Sequence, residues 1–207
     1  MNEKISKAVI RRLPRYYRYL TELSEKGIEK VSSLKMSSDM SLNASQIRRD
    51  LNCFGGFGQQ GYGYSVVKLR QEIAHILGVD KKYNVIIVGA GKIGQALMGY
   101  ASFSAEGFQI NAIFDNDAGK VGTEILGKEV LHMSAIKEYL ENNPVDIAFI
   151  CTPKDSAQSL ADYLVSLGIC GIWNFAPVDV CVRKGVCVEN VHLSDSLFVL
   201  SYMFSNR

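Results

Sequence analysis

Residues 89–94, with the sequence Gly-Ala-Gly-Lys-Ile-Gly, have the glycine spacing of a turn that holds the phosphates of a dinucleotide. In such a turn the first glycine permits a tight bend, the second lets a pyrophosphate approach the backbone, and the third lets the next helix pack closely on the preceding strand. Unpaired N–H groups at the start of that helix attract phosphate charge. We therefore predict cofactor-binding roles for Gly89, Ala90, Gly91, Lys92, Ile93 and Gly94.

The segments on either side of this turn supply the context that glycine spacing alone lacks. Val85–Val88 is a continuous β-branched run, as expected of a parallel strand covered on both faces. A second predicted strand, residues 110–114, ends at Asp115 about 20 residues further on, where an acidic side chain can bond the adenine ribose hydroxyls. A 2′-phosphate would be repelled by Asp115 and Asp117. The sequence thus predicts NAD(H) rather than NADP(H), the alternative being a glycine turn without a ligand.

The rest of the chain alternates predicted helices with predicted strands. Helices are predicted over residues 134–142 and 156–167, and strands over residues 145–150, 169–174 and 186–191. This alternation predicts an α/β fold with a doubly wound Rossmann sheet. Residues just past strand ends are the usual ligand contacts of such sheets, although each could equally serve a turn. The cofactor-binding candidates of this kind are Thr152, Pro153, Asn174, Phe175, Ala176 and Pro177.

The N-terminal part of the chain differs from the rest in charge. Residues 1–83 contain 15 Lys and Arg against 8 Asp and Glu, whereas residues 84–207 contain 8 against 13. The basic part is expected to be a separate unit with a separate partner. Either it binds nucleic acid, or the charge excess is a solvated surface.

Helical patterns divide this basic part. A first helix is predicted from Leu13-Pro14, with proline at an N-terminal helical position, to a stop at Gly27. Its apolar face comprises Tyr16, Leu20 and Leu23. A second, shorter helix is predicted to start after Ser32 or Ser33 and to end near Met40.

A third helix is predicted to begin at Asn43, in a segment that resembles a capping box with Gln46. Ile47, Leu51 and Phe54 recur at helical spacing and face the core, which turns Arg48, Arg49 and Asn52 outward. Paired arginines on the free face of a short helix can read guanine edges and neutralise phosphates.

The glycine-dense residues 55–64 follow directly and predict a β-hairpin wing, and a fourth helix is predicted from a Ser65 cap to Gly78. Short helices followed by a hairpin form the pattern of a winged helix-turn-helix domain. The alternative is a small helical oligomerisation or substrate-capping domain. The basic charge, the outward arginines and the hairpin favour the DNA-binding interpretation.

Composition excludes several classes of protein. No apolar run reaches membrane-spanning length, and the charged N-terminus does not resemble a secretory signal, so we expect a cytoplasmic protein without a membrane partner. Cysteine is odd in number and has no CxxC spacing, which indicates reduced thiols rather than disulfides or a zinc site. The five cysteines are Cys53, Cys151, Cys170, Cys181 and Cys187.

Two other functions are weighed against a DNA-binding sensor. An NAD-dependent dehydrogenase needs a proton donor or acceptor beside the nicotinamide. The only histidines are His75, His132 and His192, and only Tyr100 with His192 could be assembled into such a pair, so an enzyme is disfavoured. Direct sensing through the thiols is the third hypothesis.

The last segment, Leu193–Phe204, predicts a helix with more apolar surface than a solvated chain end should carry. Either it packs on its own sheet or it docks on another subunit, and the second is favoured. The predicted organisation is therefore a winged-helix domain over residues 1–80, a Rossmann domain over residues 81–191 and a dimerisation helix over residues 192–207.

Several segments together resemble the Rex family of redox-sensing transcriptional repressors. They are residues 8–20 (AVIRRLPRYYRYL), 46–51 (QIRRDL), the wing end 61–64 (GYGY), the turn 89–94 (GAGKIG) and residues 174–177 (NFAP). The resemblance covers nearly the whole chain in the same order.

This resemblance implies a homodimer whose terminal helix is swapped onto the partner subunit. It also implies binding to an inverted-repeat operator when NADH is scarce and release when NADH binds, so that transcription follows the NADH/NAD⁺ ratio. Tyr100 would lie near the nicotinamide, and Arg18 at the signalling interface. The implied DNA-binding residues are Arg12, Asn43, Ser45, Gln46, Arg48, Arg49, Gly58, Gly61 and Tyr62.

The sequence departs from the family pattern at two positions. Many members have an acidic residue near position 192 that can pair with the arginine at the signalling interface, whereas this sequence has His192. We therefore expect the Arg18 contribution to the NADH response to be weaker here. Cys53 stands where an aromatic residue is more usual, and inert packing is the favoured role for its thiol.

Overall fold

The structure is a computed structural model that describes residues 5–57 and 63–206. The described residues fall into two compact units, the first ending at Lys81 and the second beginning at Lys82. The first unit is helical with a small antiparallel sheet, and the second is built on a mainly parallel sheet. The predicted fold class is confirmed.

The first unit packs four helices around one apolar core. Its helices are α1 Lys7–Glu25, α2 Ser33–Met40, α3 Ala44–Asn52 and α4 Val66–Leu77. Its two short strands are β1 Lys30–Val31 and β2 Tyr64–Ser65, which pair antiparallel. The core side chains come from all four helices and include Leu13, Tyr16, Met36, Ile47 and Leu69, all of which are almost fully buried.

Helix α1 begins earlier than predicted, so the placement of Pro14 at its first turn is wrong. The Ser6 side chain accepts a hydrogen bond from the Val9 N–H and caps the helix at its true start. Pro14 lies inside the helix, on its exposed side, between the buried Leu13 and Tyr16. The apolar face that begins at Val9 compensates for the backbone hydrogen bond that proline cannot donate.

Helix α3 begins as predicted, because the Asn43 Oδ1 accepts from the backbone N–H groups of Ser45 (2.8 Å) and Gln46 (3.4 Å). Among the described residues the Gln46 side chain returns no bond to Asn43, so the expected capping box is only half formed. The strand after the glycine-dense segment, β2, pairs with β1. Residues 58–62 of the predicted wing lie outside the described residues.

The second unit is built on a seven-stranded sheet that is parallel except for its edge strand β5. The strands are β3 Tyr83–Val88, β4 Phe108–Asp115, β5 Glu124–Ile125, β6 Lys128–His132, β7 Ile147–Ile150, β8 Gly171–Asn174 and β9 Cys187–Asn190. Their spatial order is β5-β6-β4-β3-β7-β8-β9. Without β5, this is the Rossmann order 3-2-1-4-5-6.

Helices pack on both faces of this sheet. They are α5 Lys92–Met98, α6 Ser102–Ala105, α7 Ile136–Asn142 and α8 Lys154–Ser166, and a 3₁₀ turn at Met133–Ala135 precedes α7. One core joins α7 and α8 to the sheet around Phe114 and Leu164, and the other lies around Ile87 and Phe149. Strand β3 has β4 on one side and β7 on the other, and the crevice where ligands bind in such sheets opens at this switch point.

The terminal helix, α9 Leu193–Ser205, packs on no core of its own unit. None of its residues is buried, and its large apolar side chains are 60–72% exposed. The alternative in which this helix packs on its own sheet is therefore wrong. An apolar helix left uncovered in this way needs a partner surface.

Candidate functional site

The glycine turn between β3 and α5 has two glycines at which any side chain would collide with backbone. Gly89 has a φ of +109°, and a Cβ there would lie 2.5 Å from the carbonyl oxygen of Cys151. A Cβ on Gly94 would lie 2.0 Å from the Gly89 carbonyl oxygen. By contrast, a Cβ on Gly91 would meet no atom within 4 Å. The turn thus presents open backbone at the position where a pyrophosphate is expected.

Asp115, at the end of β4, is bonded to the glycine turn. Its Oδ2 accepts from the Ala90 N–H at 2.7 Å and from the Lys120 Nζ at 3.1 Å, and its Oδ1 accepts from the Asp117 N–H at 2.8 Å. Burial opposes ionisation of Asp115, but these hydrogen bonds outweigh burial and hold its pKa below the usual range. The ribose contact predicted for Asp115 would thus add to bonds that the carboxylate already makes.

A cleft of about 880 Å³ lies at the carboxyl ends of β3, β4 and β7. The predicted site residues that line it are Gly89, Gly91, Lys92, Ile93, Asp115, Thr152 and Pro153. The Thr152 Oγ1 is buried and has no hydrogen-bond partner among the described residues. A buried hydroxyl without a partner is costly, and a polar ligand in the cleft would satisfy it.

Three further features of this cleft were not found from the sequence. Lys120 reaches Asp115 and Asp117 from the turn after β4, and Met133 lines the wall. One face of α8 completes the lining with Ser156, Ser159, Leu160 and Tyr163. Their spacing of three and four residues along a helix that follows a strand end is a signal that could have been used.

The segment Asn174-Phe175-Ala176-Pro177 does not line the cleft. Asn174 is fully buried, and its Nδ2 donates to the Val178 carbonyl (2.7 Å) and to the Asn190 Oδ1 (2.9 Å), while its Oδ1 accepts from the Ala176 N–H. These bonds join β8, β9 and the loop between them. Phe175 packs against Trp173, with 4.6 Å between ring centroids. The segment thus has a structural role in this chain.

Two other predicted positions also lie apart from the cleft lining. Tyr100 is 58% exposed, and its ring lies 4.7 Å from that of Phe103. His192 is the residue before the first turn of α9, and its Nε2 lies 2.8 Å from the Asp179 Oδ1, a contact that raises the pKa of His192. The residue that replaces the expected acid therefore has a partner within its own unit.

The cysteines are free thiols, and the residue types that bind metals form no cluster among the residues that the structure describes. All five cysteines are free. Cys151 lines the cleft, but burial raises its pKa to about 12, which keeps the thiol protonated and unreactive. No group of three or more His, Cys, Asp or Glu side chains that could hold a metal ion occurs in residues 5–57 and 63–206.

In the first unit, α3 presents both predicted arginines at the surface. Arg48 and Arg49 are exposed, whereas Ile47 and Leu51 are buried. The Arg48 guanidinium donates to the hydroxyls of Ser33 and Ser45, each at 3.0 Å, so Ser45 orients the arginine. The predicted residues Gly58, Gly61 and Tyr62 lie outside the described residues.

Arg12 binds the back of α3 through a buried carboxylate. Its Nε and Nη2 donate to the two oxygens of Asp50 at 2.6 and 2.7 Å, and the Tyr16 hydroxyl donates to the same carboxylate at 2.7 Å. Asp50 is 3% exposed, and these bonds keep its pKa below the usual range despite burial. Arg12 thus fixes α3 to α1, and its predicted DNA contact would have to use the remaining part of the guanidinium.

Sequence comparisons place known families on the same two units. Residues 4–52 match the family described as "Putative DNA-binding protein N-terminus", and residues 80–178 match the family described as "CoA binding domain". A protein of Clostridioides difficile strain 630 named "Redox-sensing transcriptional repressor Rex" is 52% identical over 202 residues, which covers 98% of this chain and 96% of that protein. The chain belongs to the Rex family. The protein of the same name from Thermoanaerobacter pseudethanolicus is 52% identical over 99% of this chain and 91% of its own length.

Solved structures of a Rex-family repressor called RSP resemble this Rex-family chain over 98% of its length. RSP in complex with β-NAD⁺ and operator DNA matches with a TM-score of 0.92 at 50% identity over 93% of that chain. RSP in complex with β-NADH matches with a TM-score of 0.90 at 47% identity over 95% of that chain. Within residues 5–57 and 63–206 of this chain, no helix has the length and apolarity to cross a membrane.

Substitutions at two glycines of the turn should separate folding from binding in this Rex-family chain. We expect Gly94→Ala to lower the free energy of unfolding by about 3 kcal/mol, because its Cβ would collide with backbone. Gly91→Ala should change stability by less than about 0.5 kcal/mol, since its Cβ meets open space, yet weaken NADH binding about tenfold. Denaturant unfolding and NADH titration of both variants test this, and equal stability of the two would contradict it.

Substitutions at two arginines of the first unit should likewise differ in their effect on the free energy of unfolding. Arg12→Ala should lower the free energy of unfolding by about 3 kcal/mol, because Asp50 would be left buried without its cation. Arg49→Ala, at an exposed position, should leave unfolding unchanged and weaken operator binding by about 1 to 3 kcal/mol if the side chain reads a base.

The measurements for these arginines are urea unfolding and operator titration at fixed salt. Unchanged stability of the Arg12→Ala variant would show that α3 is not held by Asp50. Unchanged operator affinity of an Arg48→Ala, Arg49→Ala double variant would contradict the role of α3 as the reading helix.

Proposed function

We propose that this Rex-family chain is a transcriptional repressor that binds operator DNA and releases it when NADH binds, so that its activity follows the NADH/NAD⁺ ratio. The observation that carries the proposal is the presence in one chain of an exposed arginine pair on α3 and a dinucleotide-type cleft in a second unit. Rex-family relatives matching almost the full length carry the same two activities in their names.

The cleft fits a nicotinamide dinucleotide in three respects. Gly91 leaves space beside backbone N–H groups for the pyrophosphate, and the Thr152 hydroxyl lacks a partner that a bound ligand can supply. Asp115 lies at the end of the second strand of the Rossmann order, where the adenine ribose binds. The residues of this chain would hold and orient the dinucleotide, and the bound nicotinamide would supply the redox state to which the protein responds.

On the DNA side, α3 would enter the major groove with Arg48 and Arg49 toward the bases. Arg48 is oriented by Ser33 and Ser45, so part of the cost of ordering its long side chain is met before DNA binds. Asn43 and Gln46 lie at the start of the same helix, the end that approaches base edges in helix-turn-helix proteins. We infer that the remaining predicted contacts, including Arg12 and the wing residues 58, 61 and 62, support phosphate binding.

An inverted-repeat operator requires two copies of the reading helix, and α9 is the element that we propose joins them. Its apolar side chains are exposed around the whole helix. The same unit has an apolar groove of about 480 Å³ on the sheet, lined by Phe103, Phe149 and Trp173 among others. Docking of α9 from each subunit in the groove of the other covers both surfaces and gives the closed two-fold symmetry of a swapped dimer.

The competing functions have less support. The relatives reported above are named as repressors, and Tyr100 and His192 do not line the cleft, so the dehydrogenase hypothesis lacks its proton-transfer pair. Thiol sensing at Cys151 is opposed by the raised pKa of that buried thiol. A repressor that acts on operator DNA would work in the cytoplasm, which we infer as its location.

Because NADH and operator are proposed to oppose each other, each must weaken the binding of the other by the same factor. We expect saturating operator to raise the dissociation constant of NADH about tenfold, which corresponds to about 1.4 kcal/mol of coupling. NADH titrations with and without operator measure this factor. A duplex with a scrambled operator sequence is the control, and identical NADH affinity with and without operator would contradict the sensor.

The swapped helix can be tested at one exposed leucine. Leu200→Asp should raise the dimer dissociation constant at least about tenfold, because a charge would be buried in an apolar interface. Leu200→Met, which keeps the side chain apolar, is the control and should remain dimeric. Sedimentation equilibrium measures both variants. A fully dimeric Leu200→Asp variant would show that α9 does not form the interface.

A further inference from the structure

We propose that Lys120 controls the choice between NAD(H) and NADP(H), as the cation shared by the two carboxylates at the ribose end of the cleft. This inference rests on the proposed function, in which the cleft binds a nicotinamide dinucleotide. The two dinucleotides differ by one phosphate on the adenine ribose, and Asp115, at the end of β4, marks the position of that ribose.

The turn after β4 carries Lys120 back over the cleft. The Lys120 N–H donates to the Asp117 carbonyl at 2.9 Å, and the Gly119 N–H donates to the Asp117 Oδ1 at 2.9 Å. This closed turn places the Lys120 Nζ 3.1 Å from the Asp115 Oδ2 and 3.4 Å from the Asp117 Oδ2. All three side chains line the same cleft.

The three charged groups differ in exposure, and this determines which of them can respond to a ligand. The Asp115 side chain is 12% exposed and bonded to two backbone N–H groups, so it cannot move without opening the glycine turn. The Lys120 side chain is 38% exposed, and among the residues that the structure describes its ammonium is held by the two carboxylates alone. The Asp117 side chain is 55% exposed, but its Oδ1 accepts from the Gly119 N–H and so is tied to the turn. The lysine is therefore the member of the cluster that can move.

Charge then accounts for selectivity. Two carboxylates and one ammonium leave the cluster with a net charge of −1, which uncharged ribose hydroxyls tolerate. A 2′-phosphate would add a charge of about −1.5 to −2 beside this cluster, and pairing Lys120 with it would take the lysine away from the Asp115 carboxylate. NADP(H) is thus excluded because the cation is already engaged. A cluster without Asp115 would have a free lysine at the position of the phosphate.

This assignment differs from the sequence prediction, which gave selectivity to repulsion by Asp115 and Asp117 alone. If repulsion alone acted, removal of Asp115 would relieve it whether or not Lys120 were present. If Lys120 instead pairs with the 2′-phosphate once Asp115 is removed, the gain in NADPH binding requires the lysine. A double-mutant cycle separates the two possibilities.

The experiment measures NADH and NADPH dissociation constants of the full-length protein by calorimetry at fixed salt. The variants are Asp115→Ser, Lys120→Met and the double substitution. In Asp115→Ser the ratio of NADPH to NADH dissociation constants should fall at least about tenfold, since a charge-assisted hydrogen bond to the phosphate forms. Adding Lys120→Met should remove this gain. Lys120→Met alone should raise the ratio, because it makes the cluster more negative.

Two controls protect the interpretation. Thermal unfolding without ligand detects any loss of stability that Asp115→Ser causes by weakening the glycine turn. Asp115→Asn keeps an acceptor for the Ala90 N–H and should show the same lysine-dependent gain in NADPH binding. Lys137→Met removes an exposed lysine of α7 in the same unit, outside the cleft lining, and should leave the ratio unchanged.

A gain in NADPH binding that survives Lys120→Met would overturn the inference, as would an unchanged ratio in Lys120→Met alone. Either result would leave the proposed function intact, because the unmodified protein would still bind NADH. If the unmodified protein bound neither dinucleotide, the proposed function would itself be wrong, and the inference with it.

Discussion

The hydrogen bond from the Ala90 N–H to the Asp115 carboxylate joins the two segments on which the cleft depends. One segment is the glycine turn after β3, and the other is the end of β4, 25 residues further along the chain. The bond is short because its acceptor is ionised, at 2.7 Å, and the Gly89 N–H donates to the Phe114 carbonyl beside it. With the turn fixed in this way, Gly91 presents its backbone to the cleft, and Lys120 is drawn to the same carboxylate.

A buried carboxylate has the corresponding role in the first unit. Asp50 lies on the inner face of α3, where Arg12 and Tyr16 of α1 bind it. Burying a carboxylate is costly unless its lone pairs are satisfied, and here the guanidinium and the phenol satisfy them. The consequence is that α3 is held in position from behind, and its outward arginines, Arg48 and Arg49, remain available for a ligand. In both units, then, an acidic side chain holds in place the segment that we propose contacts the partner.

The apolar surface of the second unit explains why the chain is expected to act as a dimer. One face of its sheet is covered by α7 and α8, whereas the other keeps an open groove beside Phe103 and Trp173. In the same unit α9 leaves its large apolar side chains mostly exposed. Exposed apolar area of this extent favours association, because water is released from both surfaces when they meet. Dimerisation would also provide the two reading helices that an inverted repeat requires.

Features that depend on neighbouring residues could be predicted from the amino-acid sequence alone. The glycine spacing of residues 89–94 after a β-branched strand, the Asn43 cap of α3 and the alternation of helices with strands all follow from local backbone chemistry and periodicity. The order of these motifs along the chain was also sufficient to indicate the Rex family. Local signals failed at Pro14, which they placed at a helix start, because burial on both sides of that residue outweighs the preference of proline for the first turn.

Which polar side chains remain free to bind a ligand depends on contacts between residues far apart in the sequence. Arg12, a candidate DNA contact, binds Asp50, which lies 38 residues away in sequence. Asn174, a candidate cofactor contact, makes three hydrogen bonds within the fold through its amide. Lys120 gave no sequence signal, since its role arises from the position of Asp115 and Asp117 around one cleft. Packing determines which hydrogen-bond partners meet when they are distant in sequence, so residue type and spacing do not predict these pairs.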